Sequence, residues 1–230
     1  MKIDLSQNIS DILFKVLHDK ESLSFDYGQI KNITTLSSVN NQFRIFTWGI
    51  QLGDGNYIYY GLSQVKTKDD EIVVNKFIDS SESFSDAQLA NIQMNQWYGC
   101  IYYEMIQIGG KKSNLYALAG WDGADLFINR KILEQVVVQE DGSIKFGGKF
   151  KNNKSRIVNR LVFEYTERAV MSLNYNKKLK MFVADHLSAP AQFKGNPKYM
   201  GPDMSFDGYY FDDGKWLYLS DIDYKNQSKF

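Results

Sequence analysis

The first apolar positions, Ile9, Ile12, Leu13, Val16 and Leu17, recur every three or four residues, and Ser6, Asn8 and Ser10 stand where caps are needed. That spacing predicts an amphipathic helix within residues 1–24, its apolar stripe docked on the rest of the chain. From Phe43 the period changes to two. Phe43, Ile45 and Thr47 would face one side of a strand, and Arg44, Phe46 and Trp48 the other. Asp54-Gly55 separates this run from Tyr57-Ile58-Tyr59-Tyr60. Such a pair signals a hairpin, because glycine takes the positive φ of a tight turn. The device returns at Asp141-Gly142 and Asp213-Gly214, each time between runs rich in β-branched or aromatic residues. A fourth hairpin is expected around residues 176–178, with further strands over 72–78, 97–107, 115–119 and 157–165.

About a dozen strands are more than one flat sheet carries before it curls or splits into layers. The expected fold class is therefore mainly β, with antiparallel hairpins in a curved meander, a sandwich or a propeller-like arrangement. Ser85-Asp86 would cap one short internal helix over 87–94. Residues 80–85 and 151–156 read as polar surface loops, and 189–207, which holds Pro190, Pro197 and Pro202, as the longest irregular segment. No linker divides the chain. Residues 1–230 are expected to form one domain, with a helical segment over 1–24 and a β-rich body over 43–220.

Composition strengthens the β reading. Against 3 Pro stand 15 Tyr, 15 Phe and 4 Trp, which suit a pleated, half-buried surface, so each aromatic is first a core residue and only then a ligand platform. Lys plus Arg and Asp plus Glu are both 27, so no whole-chain field draws the protein to nucleic acid; Lys111-Lys112 and Lys177-Lys178 are only local basic pairs. Apolar runs such as residues 136–138 are strand-sized, and no membrane span is expected. Cys100, the only cysteine, excludes an internal disulfide and reads as an inert core thiol within an apolar strand. The chain carries no phosphate-binding loop, dinucleotide fingerprint or zinc-protease helix.

Two places can carry chemistry. His186 follows an apolar strand and precedes the proline-containing segment, whereas His18, beside Asp19, reads as a solvated residue of the N-terminal helix. Asp185 and His186 would point to opposite faces of a regular strand, so a dyad needs a strand end that turns. Asp203 and Asp207 lie in the following segment and complete the candidate catalytic set, while Ser172 and Ser188 sit in no nucleophile-elbow context. The second place is Gly120-Trp121-Asp122-Gly123-Ala124-Asp125. Trp121, Asp122 and Asp125 are candidate ligand-binding residues, and Asp122 with Asp125 is a candidate calcium pair. The spacing is not that of an EF-hand, and a turn whose aspartates cap backbone amides is the plainer reading. Glu164 with Glu167 and Asp221 with Asp223 are further carboxylate pairs of the kind glycoside hydrolysis requires.

Three stretches taken together carry a resemblance: Phe43-Arg44-Ile45-Phe46-Thr47-Trp48; Gly120-Trp121-Asp122-Gly123 with Asn129-Arg130-Lys131-Ile132; and Phe163-Glu164-Tyr165 with Asp185-His186-Leu187-Ser188. Over most of the chain after about Ser24, the sequence resembles a group of uncharacterised Bacteroidetes proteins, many with a leader peptide for export. The resemblance implies a periplasmic or secreted protein and no particular activity. Residues 1–8 turn polar at once and do not read as a leader. The expected function is a non-catalytic binding or interaction domain of the cell envelope, with a protein or carbohydrate ligand. The alternative is a hydrolase acting on a carbohydrate or ester through loop carboxylates and His186.

Overall fold

The computed structural model describes residues 2–110 and 113–224, so the Lys111-Lys112 pair lies outside the described residues. Lys2–Val16 forms α1. Its buried side consists of Ser6, Ser10 and Leu13, continued by Leu17 just past the helix, while Ile12 and Val16 are 61% and 46% exposed. The stripe read from the sequence is thus rotated. Ser6 and Ser10 are interior residues rather than caps, and their small side chains face the sheet beneath. His18 lies beyond the helix, exposed, with Nδ1 2.7 Å from the Phe14 carbonyl oxygen.

The strands form three sheets. The first runs in order β1 (Thr34–Ser37), β2 (Phe43–Gln51), β3 (Tyr57–Lys66) and β4 (Ile72–Ile78), all antiparallel. The second contains β5 (Ile101–Ile108), β6 (Leu115–Asp122), β7 (Ile128–Val138), β8 (Ile144–Phe146) and β11 (Leu161–Thr166). Its order is β11-β7-β6-β5, with β8 also paired to β7. The third contains β9 (Phe150–Lys151), β10 (Ile157–Val158), β12 (Leu173–Asn176), β13 (Met181–Ser188), β14 (Gly201–Asp212) and β15 (Lys215–Leu219). Its order is β10-β9-β15-β14-β13-β12, antiparallel except where β9 meets β15. All four expected hairpins are present.

The sheets stack as layers and close into neither a barrel nor a propeller. α1 covers the outer face of the first sheet through Leu13, Leu17, Phe46, Leu62 and Val74. The inner face, with Phe43, Ile45 and Phe77, packs on Tyr116, Leu118 and Ile132 of the second sheet. The alternate residues Ala117, Ala119 and Leu133 pack on Phe182 and Trp216 of the third. Period-two alternation therefore becomes a central sheet that is apolar on both faces. Each enclosed aromatic such as Trp97 or Phe150 stabilises the stack by about 1.5–3 kcal/mol relative to exposure.

Three expectations are corrected. The run 157–165 is two strands in different sheets, β10 in the third and β11 in the second. Asn159 and Arg160 make the step between them and bind the carbonyls of a passing loop: Asn159 holds those of Gln88, Leu89 and Ala90, and Arg160 those of Ala87 and Ala90. The same bonds explain why 87–94 is not a helix. Carbonyls that would accept helical N–H groups are taken by Asn159 and Arg160, and Asp86 caps one turn only, through Gln88 N–H. A second short turn follows at Met94–Gln96. Finally, the segment 189–207 is largely ordered: turns at Ala191–Phe193 and Pro197–Tyr199 lead into β14, which begins at Gly201. Pro202 is tolerated there opposite Leu187, next to a register shift between Asp185 and Leu187.

Candidate functional site

A register shift between Asp185 and Leu187 of β13 is the kind of strand irregularity that an Asp185–His186 dyad would need. It brings Asp185 and His186 to one cleft of about 290 Å³, with Asp207 and Tyr209 of β14 on the same wall and Leu161, Phe163 and Glu164 of β11 opposite. Asn152, Lys154 and Arg156, from the loop between β9 and β10, and Gln88 close the sides. The two adjacent residues do not form a dyad. Asp185 Oδ2 accepts the Ser172 N–H at 2.7 Å, and the partner of His186 is Asp207, with Nδ1 2.9 Å from Oδ2. Because a carboxylate only accepts, Nδ1 carries the proton in this bond, and Nε2 is turned toward Asp203, 4.0 Å away.

Asp207 is 5% exposed and its other oxygen accepts the Tyr218 hydroxyl at 3.0 Å. Burial, with the Asp207 charge beside it, pushes the Tyr218 hydroxyl up to about 12, so it stays a donor at neutral pH. Asp203 stands outside the cleft lining, in the irregular stretch of β14 between Pro202 and Phe206, accepting the Ser205 N–H and hydroxyl. Burial alone would raise its carboxyl, but the Ser205 donors and His186 bring it below the ordinary value. His186, Asp203 and Asp207 thus come together, and Asp185 joins the cleft without joining the network.

The Trp121 turn is a separate place, where Asp122 lies in register with Arg130 and Glu164, on the face of the sheet opposite Phe163. Asp122 is buried and accepts from the hydroxyls of Tyr59 and Tyr98 at 2.9 and 2.8 Å, from the Ala124 N–H at 2.8 Å and from Arg130 at 3.3 Å. Burial and the Asp122 charge raise the hydroxyls of both tyrosines. Asp125 accepts the N–H groups of Phe127 and Ile128, which is the plain turn role. Both carboxylates are occupied by protein donors, and among the described residues no group of three His, Cys, Asp or Glu side chains is arranged to hold a metal ion. Trp121 is half-buried with its ring edge-to-face on Tyr57, while Trp48, Trp97 and Trp216 are buried. Cys100 is enclosed, and burial pushes its thiol well up.

Arg130 lines a second cleft, about 360 Å³, with Tyr98, Asp86, Gln88, Val162 and Glu164. Glu164 accepts from its guanidinium at 2.9 Å, whereas the suggested pairing partner Glu167 binds Arg168 instead. Asp221 and Asp223 lie on the exposed stretch after β15. Sequence reasoning missed Tyr218, Arg130 and Arg156. Tyr218 stands two residues from Trp216 on a legible hairpin, which marks its place but gives no sign that the hydroxyl reaches Asp207 on the neighbouring β14. No helix among the described residues is long and apolar enough to cross a membrane. Set against family models, curated proteins and solved structures, the chain matches none of them.

Proposed function

We propose that the protein is a non-catalytic binding module whose ligand lies in the cleft between β11 and the β13–β14 pair. One observation carries this reading: each carboxylate lining that cleft already receives a protein donor, Asp185 from Ser172, Asp207 from His186 and Tyr218, and Glu164 from Arg130. Such groups form a shaped polar wall that presents fixed hydrogen-bonding positions to a ligand. Amide and cationic side chains from Gln88, Asn152 and Arg156 supply further hydrogen-bonding groups suited to a peptide or a saccharide. The resemblance to exported Bacteroidetes proteins extends the proposal to a role in the cell envelope.

A panel of soluble glycans and a phage-displayed peptide library, screened against the wild type and His186→Ala, test the reading. The expected result is a ligand whose affinity falls at least tenfold in the variant; ligands bound equally well by both proteins would overturn it. The second reading, a hydrolase, is favoured by the His186–Asp207 bond, which holds an imidazole in the manner of an oriented base. Turnover of p-nitrophenyl esters or glycosides that disappears in His186→Ala and Asp203→Ala would replace the first reading with this one.

A further inference from the structure

The outer edge of β11 is open between two points where other segments close on it. Thr166 donates its N–H to the Met200 carbonyl at 2.9 Å, so its backbone points away from β7. Residues of an antiparallel strand alternate between bonding the neighbour and facing outward. Val162 and Glu164 therefore face outward with Thr166, and Leu161, Phe163 and Tyr165 bond β7. At the other end, Asn159 donates its N–H to the Gln88 carbonyl at 2.8 Å. Between these clamps, the outward N–H and C=O groups of Val162 and Glu164 have no hydrogen-bond partner among the described residues.

Both clefts lie along this edge, one on each face of β11. Phe163 looks toward the His186 cleft, packed on Tyr209, while Glu164 looks toward Arg130. Glu164 borders both clefts, and so does Gln88. A strand laid against the edge would send successive side chains to alternate faces, hence alternately into the two clefts. We infer that β11 is a docking edge for an extended peptide segment of a partner protein, which adds as a strand between Gln88 and Met200. This rests on the cleft being the ligand site and names the ligand as a peptide. The gap suits roughly four to six residues at about 3.3 Å each. In the Arg130 cleft, Asp86 and Glu164 face a single cation, so a lysine or arginine of the peptide suits that side.

The edge itself can be edited without touching the ladder. Proline at 162 removes an outward N–H and leaves the bonds to β7 in place, as proline does on natural edge strands. Heptapeptides selected from a random phage-displayed library on the wild type are expected to bind Val162→Pro at least tenfold more weakly, while Val162→Ala binds normally. Peptides synthesised with N-methyl groups at alternate positions should lose binding to the wild type in one register and keep it in the other, which tests the idea even if the proline variant folds poorly. Undiminished binding to a folded Val162→Pro, or insensitivity to N-methylation in both registers, would overturn strand addition. Ligands weakened by His186→Ala but unaffected by Val162→Pro and by N-methylation would leave the cleft reading standing and remove this one.

Discussion

Arg160 and Glu134 are both fully enclosed, their Nε and Oε1 atoms 2.6 Å apart. The other Glu134 oxygen accepts the Tyr102 hydroxyl at 2.7 Å, and Trp97 donates to that hydroxyl in turn. Removing one member of such a pair strands the other charge away from water, which typically costs about 3–5 kcal/mol. Arg160→Met is expected to lose that much in urea unfolding, and to release amides of the 86–90 loop to hydrogen exchange as its carbonyl anchor disappears. Neither residue stood out in the sequence, because a charged residue on a strand normally marks the solvent face. Asp122 was legible as a turn carboxylate because an aspartate two residues before an amide it can cap is a local arrangement. The partners that hold it, Tyr59 and Tyr98, come from 63 and 24 residues away and leave no local trace. His186 was legible as a candidate by its type and place, and its partner Asp207 only as one of several nearby aspartates.

Hairpins were the most readable elements, since turn chemistry and strand alternation both act over a few residues. Two of their glycines differ in an instructive way. Gly142 has φ +80°, and a Cβ there would stand 2.6 Å from Val73 of the first sheet, while its carbonyl accepts from Asn75 at 2.9 Å. Gly214 has φ +74° with nothing within 4 Å of the same position. Gly214→Ala should therefore cost only the left-handed backbone, about 1–2 kcal/mol. Gly142→Ala should cost clearly more, because Val73 must also give way; paired thermal melts of the two variants measure the difference. What could not be read were the elements set by distant partners. The helix over 87–94 failed because its carbonyls are claimed by Asn159 and Arg160, and the start of β14 was hidden by Pro202, which sits beside the register shift opposite Leu187.

On the scale of the whole molecule, alternation announced layered sheets, but not their number or order. Glu104 shows how the second and third layers are joined: its carboxylate accepts the Tyr175 N–H at 2.8 Å. Burial between the sheets raises its pKa. A carboxyl whose folded pKa is raised favours folding most below its unfolded value, about 4.3, and loses that contribution as pH rises through the folded one. Glu104→Gln, which keeps an acceptor for Tyr175, is thus expected to be more stable than wild type at pH 7, with the gap closing as the pH falls through the raised folded pKa and gone by about pH 4; melting curves across that range check the sign. The layers also follow one another along the chain with one exception: β9 and β10 belong to the third sheet yet precede β11 of the second. Phe150 of β9 finds its stacking partner, Trp216, on β15, and Trp216 donates its N–H to the Lys149 carbonyl. During synthesis, a growing chain would carry the apolar outer face of its central sheet, Ala117, Ala119 and Leu133, uncovered until β13 to β15 left the ribosome. That interval is when nascent copies are most prone to stick to one another and most in need of a chaperone.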